Sequence, residues 1–219
     1  MTAEIRGIEG PRLSTEALTT RLFAGRPALR RRILRKNEFL TREGDSCAYL
    51  FRIRVGGLIV LSEGADGSVS ALDWIGPNGL CGLEEAVRLV PYGRSSRATT
   101  TSVAECLPLE DFHRAMRTDS YVAAGVATCL SERAYALANH AETLAINRLA
   151  ERVRRILRAL AERANVAGRP VALRLTQDDL AALAASSRQR VNPVLMMLRR
   201  AGVVELERGI IRVLMVSSL

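Results

Sequence analysis

The chain has 219 residues, enough for one large or two ordinary domains, and its 48% apolar and 25% charged content belongs to a packed protein, not a disordered one. No apolar run approaches the roughly 20 residues of a membrane-spanning helix, and Met1 to Arg12 lacks the apolar core of a signal peptide, so a cytoplasmic location with no membrane partner is expected. The net charge of +9 is unevenly placed: residues 146–219 hold 14 Arg and 6 acidic residues, whereas residues 1–145 hold 18 basic and 17 acidic ones, which makes the C-terminal third the part suited to a polyanion.

From about Arg31 to Glu110, short apolar stretches are broken every 8 to 12 residues by turn signals: Glu43-Gly44-Asp45, Gly56-Gly57, Asp66-Gly67, Pro77-Asn78-Gly79 and Tyr92-Gly93. With Tyr49-Leu50-Phe51 and Leu58-Ile59-Val60-Leu61 between them, this punctuation predicts an all-β barrel or sandwich, with Trp74 in its core. Cys47, Cys81, Cys106 and Cys129 form no CxxC pair, and the histidines are His113 and His140, so neither a zinc ribbon nor an iron-sulfur cluster is indicated. The thiols read as small buried apolar side chains.

From about Ser120 to Ala164, Ala and Leu dominate, Gly occurs only at Gly125 and Pro is absent, which reads as helix. Leu130, Ala134, Leu137, Ala141 and Leu144 fall at alternating three- and four-residue steps, the seam of a two-stranded coiled coil. That seam is either a homodimer interface or a helix packed on its own barrel. A second amphipathic helix is expected over Asn147 to Leu160, with Arg152, Arg154, Arg155 and Arg158 on a solvated face, and Gly168-Arg169-Pro170 closes it.

The segment from Leu175 to Leu214 carries the most information. Thr176 followed by Asp179 resembles a capping box, and Leu180, Leu183 and Ala184 give the apolar face of a short helix from about Gln177 that stops near Ala185-Ser186. Ser187 then caps a second helix with Val191, Val194, Leu195 and Leu198 at helical spacing and Gly202 past its end. Two short helices joined by so brief a turn form a helix-turn-helix. The N-terminal residues of the second helix in this motif meet base edges in the major groove of double-stranded DNA, which makes Arg188, Gln189 and Arg190 the candidate base readers; the alternative for each is a solvated helix end. Thr176, Gln177, Ser186 and Ser187 are candidate phosphate contacts. Val203 to Leu214 reads as a hairpin, the wing, with Arg208 at its tip near phosphate. Pro193 leaves two readings open: a helix kinked at Pro193, or one that begins at the cap-and-first-residue pair Asn192-Pro193 and leaves Arg188 to Arg190 irregular.

In this order, Arg42-Glu43-Gly44-Asp45, Leu50-Phe51-Arg52-Ile53 with Gly56, Asp66-Gly67, Pro77-Asn78-Gly79, Gly82 before an acidic pair, Leu175 to Ala181, Ser187-Arg188-Gln189 with Val191, and Gly202 resemble the Crp/Fnr family of bacterial regulators. The resemblance covers about residues 20 to 219. It implies an α+β fold: a cyclic-nucleotide-binding-like β-barrel of jelly-roll type with an N-terminal helical segment over 1–116, a dimerisation helix over 117–146, and a winged helix-turn-helix over 147–219. It also implies a homodimer on a palindromic DNA site, with RNA polymerase as a further partner.

In members that bind cyclic nucleotides, a Gly-Glu-x-Ala segment and a following Arg-Ser or Arg-Ala hold ribose and cyclic phosphate. Here the matching stretch is Gly82-Leu83-Glu84-Glu85-Ala86, with the acid displaced, followed by Arg94-Ser95 and Arg97-Ala98. Gly82, Glu84, Glu85, Arg94, Ser95 and Arg97 are therefore the candidate effector pocket, with a cyclic nucleotide as the effector the resemblance offers, no cofactor assigned, and a regulator that needs no effector as the alternative. The rival reading is a cyclic-nucleotide or small-molecule sensor module that regulates a protein partner. No nucleophile-base pair, metal cluster or phosphate loop can be assembled, which argues against an enzyme.

Overall fold

A computed structural model describes residues 14–25, 29–64, 69–164 and 170–219. The turn expected at Asp66-Gly67 and the Gly168-Arg169 part of the later break lie outside the described residues.

Among the described residues, the N-terminal half is built on eight strands: β1 Arg30–Leu34, β2 Phe39–Thr41, β3 Tyr49–Val55, β4 Leu58–Glu63, β5 Val69–Ile75, β6 Leu80–Cys81, β7 Ser95–Ala98 and β8 Ser102–Pro108. They form two antiparallel four-stranded sheets, ordered β1-β8-β3-β6 and β2-β7-β4-β5. One buried cluster takes Leu34, Phe51, Ile53 and Cys106 from the first sheet and Leu40, Leu58, Ile75 and Ala98 from the second, so the sheets face each other across a shared core, as the punctuated sequence predicts. A short helix, α2 (Leu83–Arg88), interrupts the strands after Gly82.

Helices cover the outer face of the first sheet. These are α1 (Thr15–Phe23), capped by Ser14, then α3 (Leu109–Thr118) and the N-terminal half of α4 (Ser120–Leu144). Leu18, Leu22, Phe112, Val122 and Val126 bury there against Leu50 and Leu107. Helix α4 ends at Leu144 and α5 (Leu149–Ala164) follows after a break at Ala145 to Arg148, two residues later than the expected start at Asn147. Arg152 is not simply solvated: its Nη1 donates to the Ile146 carbonyl and holds this link. Among the described residues, no helix is long and apolar enough to cross a membrane.

The C-terminal part comprises β9 (Val171–Leu173), α6 (Gln177–Leu183), α7 (Arg188–Arg200), β10 (Val204–Glu207) and β11 (Ile210–Val213), with a small sheet ordered β10-β11-β9. Its core is not separate from the barrel. Strand β4 is apolar on consecutive residues, the pattern of a strand buried on both faces. Leu58 and Val60 point into the jelly roll, while Ile59 and Leu61 point outward and join Ala71 and Trp74 of β5 in one cluster with Val153, Leu157, Leu180 and Leu195. The Trp74 indole N–H donates to the Arg174 carbonyl at 3.3 Å. Gly57 is needed here, because a Cβ would come within 2.5 Å of that indole nitrogen and 3.0 Å of the same carbonyl.

Ile59 is fully buried in this seam, whereas Val69 on the neighbouring strand is 58% exposed. We expect Ile59→Ala to lower unfolding free energy by about 2–4 kcal/mol in urea titrations and Val69→Ala to change it by less than about 0.5 kcal/mol. His140 of α4 is half-buried, and among the described residues its Nε2 has no hydrogen-bond partner. Burial lowers its pKa below the ordinary 6.5, with Arg163 acting in the same direction and Asp73 against it. The unfolded chain thus takes up this proton more readily, so the neutral imidazole's contribution is whole above about pH 6.5 and is lost as pH falls through the folded value. Stability should drop between pH 7.5 and 5.5, and His140→Gln should show a smaller drop in the urea midpoint.

Candidate nucleic-acid interface and barrel site

The capping box forms as expected. Thr176 Oγ1 accepts from the Asp179 amide at 3.1 Å, and Asp179 Oδ2 accepts from the Thr176 amide at 2.9 Å. Helix α6 then stops without glycine. Ala185 takes a left-handed φ of 45°, and the Ser186 amide bonds back to Ala181 O while that of Ala185 bonds to Ala182 O, the two bonds of a Schellman turn. Ser187 stands at the N-cap of α7 in extended conformation, but its side chain makes no capping bond, so the expected cap is positional only.

Helix α7 starts at Arg188 and runs unbroken through Pro193, so the late start at Asn192 does not occur. Val191, Leu195 and Leu198 bury on one face, and starting at Asn192 would lose Val191 from it. Full burial of such a side chain is worth about 1.5–3 kcal/mol, comparable to the roughly 3 kcal/mol that proline costs in a helix interior. Arg188, Gln189, Arg190, Asn192 and Pro193 are all exposed. Arg188 makes one loose pair, 3.5 Å to Asp178 with both side chains more than half exposed, which leaves its guanidinium available.

The wing hairpin turns at Arg208-Gly209, with Gly209 at φ 77°. One cleft gathers Thr176, Gln177, Arg188 and Arg208 with Lys36 from the barrel, the only lysine of the chain. Ser186 lies in a different cleft, against Val69 to Leu72 of β5 and Leu144. The structure therefore brings four of the predicted DNA contacts together and adds Lys36, which no local sequence signal placed there.

In the barrel, Gly82 adopts φ 84° as the N-cap of α2, where a Cβ would come within 2.9 Å of the Tyr92 ring. Both oxygens of Glu84 accept from Arg133 Nη1 at 2.8 Å, and Arg133 Nη2 also donates to the Leu80 carbonyl. Burial works against the Arg133 charge, but the surrounding groups, Glu84 foremost, together outweigh it and the guanidinium pKa is raised. Glu85 accepts from the Gly93 amide at 3.0 Å; Ser95 is buried and its hydroxyl accepts from the Glu43 amide. Arg94 is exposed and turns back to the Gly93 carbonyl.

Arg97 does not join Glu84 and Glu85. Alternation along β7 sends Ser96 and Ala98 inward, Ser96 meeting Cys81 and Ala98 entering the jelly-roll core, and leaves Ser95, beside Leu61, and Arg97, beside Ile59, on the outer face. There Arg97 bonds Asn37 and Asp179. The guanidinium at Glu84 is that of Arg133, which the sequence reading missed; the available signal was its place one helical turn after the buried Cys129. Burial disfavours the thiolate at three cysteines, pushing Cys81 up to about 11 and raising Cys47 and Cys106 as well. Among the described residues, no three His, Cys, Asp or Glu side chains are grouped to hold a metal.

The C-terminal half of α4 leaves Ala134, Leu137, Ala141 and Leu144 exposed, with Tyr135 72% exposed next to them. Leu130, at the head of the expected seam, is half-buried and packs on the barrel-side cluster.

Two family models match the chain: a cyclic nucleotide-binding domain over residues 31–119 and a Crp-like helix-turn-helix domain over residues 151–219. A comparison with curated proteins finds no match. Among solved structures, FixK2 from Bradyrhizobium japonicum is similar with a TM-score of 0.73 and 19% identity, over 85% of this chain and 92% of that one. TTHB099, a CRP-family transcriptional regulator from Thermus thermophilus, gives 0.64 and 22%, over 85% and 93%. The c-di-GMP responsive global regulator CLP of Xanthomonas campestris gives 0.64 and 21%, over 90% and 98%. At such identities these structures speak for the fold, and with both domain models matched in the family's order the chain belongs to the Crp/Fnr family of transcription regulators.

Proposed function

We propose that this regulator acts in the cytoplasm as a homodimer, joined along the exposed C-terminal half of α4, and reads a palindromic DNA site with the N-terminus of α7. Arg188, Gln189 and Arg190 read base edges; Thr176, Gln177, Ser187 and Arg208 hold phosphates beside them, and Ser186 holds one from the neighbouring cleft. The observation that carries this reading is the exposure of all three base readers on a helix whose opposite face is buried by Val191, Leu195 and Leu198. An exposed row of Ala134, Leu137, Ala141 and Leu144 supports the dimer, since apolar side chains at coiled-coil spacing gain most from a second copy of themselves. Two-fold symmetry then sets the half-sites one helical turn apart. RNA polymerase is the partner through which such binding acts on transcription.

We read the barrel site as one that works without a cyclic nucleotide. Glu84 is already engaged by Arg133, and Arg97 is turned to the opposite side of its sheet. Arg188→Ala should weaken binding to a selected operator by about 10- to 100-fold, corresponding to about 1–3 kcal/mol for one bidentate base contact, while general, salt-sensitive DNA binding persists. An equal loss on every sequence in fluorescence anisotropy titrations would contradict base reading. Saturating cyclic AMP or cyclic GMP should change operator affinity by less than about fivefold, the lower end of ordinary allosteric coupling; a larger tightening would restore the nucleotide to the site.

A further inference from the structure

The barrel and the DNA-binding part meet along the outer face of β4 and β5, and several polar pairs cross that seam. Trp74 and Thr99 both donate to the Arg174 carbonyl, and Arg163 holds Asp73 through two bonds of 2.6 and 3.1 Å. One further pair has a special position. Arg97 Nη2 donates to Asp179 Oδ1 at 3.0 Å, with the two side chains only 24% and 3% exposed. Asp179 Oδ2 belongs to the capping box, accepting from the amide and the hydroxyl of Thr176 at 2.9 and 2.6 Å. A single buried carboxylate therefore joins the barrel to the first helix of the helix-turn-helix.

The barrel end of this pair is fixed as well. Arg97 lies in strand β7; its Nη1 donates to Asn37 Oδ1, and the Asn37 backbone N–H donates to Ala98 O. At the other end, the Schellman turn joins α6 and α7 into one unit, which packs through a shared apolar cluster on Ile59 and Trp74 of the barrel. Rotating that unit by about 10° moves the far end of an approximately 20 Å helix such as α7 by about 3.5 Å, the rise of one base pair.

We propose that Arg97 is a positioning residue for DNA reading: by clamping Asp179 it sets the angle of α6 and α7 against the barrel and α4, and thereby the half-site spacing that the dimer accepts. This rests on the dimeric DNA-reading function proposed above. Arg97 itself touches no base.

The test uses the full chain and a duplex operator selected by the wild-type protein from a random library, then the same half-sites with one base pair inserted or removed. Wild type should prefer the selected spacing by about tenfold or more. Arg97→Ala should narrow that preference to about threefold or less and leave affinity for a single half-site within about twofold, with an unchanged far-ultraviolet circular dichroism spectrum. Arg97→Lys, which keeps the charge but not the fork geometry, should recover part of the preference. Retention of the full spacing preference by Arg97→Ala would overturn the proposal. So would a loss of single half-site affinity as large as the loss on the full operator, because the pair would then merely hold α6 together. Failure of wild type to select any operator would remove the DNA-reading function, and this inference with it, before any Arg97 variant is compared.

Discussion

Strand β4 has to be covered on both faces, and the arrangement of the molecule follows from that requirement. Leu58-Ile59-Val60-Leu61 places apolar side chains on consecutive residues, so half of them face away from the jelly-roll core. With Ala71 and Trp74 they form an apolar platform, and the helices of the DNA-binding part cover it. Burial supplies most of the attraction, while the paired charges and the shared Arg174 carbonyl fix the orientation. The sensor-like barrel and the reading head are consequently one packed unit in each chain, joined by the same seam at which Arg97 and Asp179 meet.

Much of this organisation was legible locally. Turn signals at regular spacing marked out the sandwich, the Thr176 to Asp179 box marked the start of α6, and the helical spacing of Val191, Leu195 and Leu198 located α7. Each of these signals lies within a dozen residues. What escaped was non-local or a matter of energetic balance. Glu84 and Arg133 are 49 positions apart, and Arg97 and Asp179 are 82 apart, so nothing near either residue names its partner. Helix α6 ends in a left-handed alanine where glycine would announce the turn, and α4 breaks at Ala145 to Arg148 with neither glycine nor proline. Pro193 left two starts open, since a local rule allows the helix to begin there while the burial of Val191 favours the earlier start.

The barrel site keeps part of the pattern that the family resemblance implies. The Gly82 turn and the acidic pair after it are present, but the carboxylates are committed within the chain: Glu84 to Arg133 and Glu85 to the Gly93 amide. Arg133 belongs to α4, the same helix that exposes the apolar row to solvent, so the pair ties the barrel site to the proposed dimer helix through one side chain. A strand's two-residue period decides the fate of Arg97. One step along β7 in either direction would aim it into the core, and at its actual position it faces the reading head.

On this reading, two ligand-free copies of the chain present two α7 helices on one face of the DNA. Hydroxyl-radical footprinting of the ligand-free, full-length protein on a fragment it selects for itself tests that claim most directly. Two protected tracts, centred one helical turn apart on the same face of the duplex, are the predicted result. A single tract, or protection that forms only after a nucleotide is added, would contradict it.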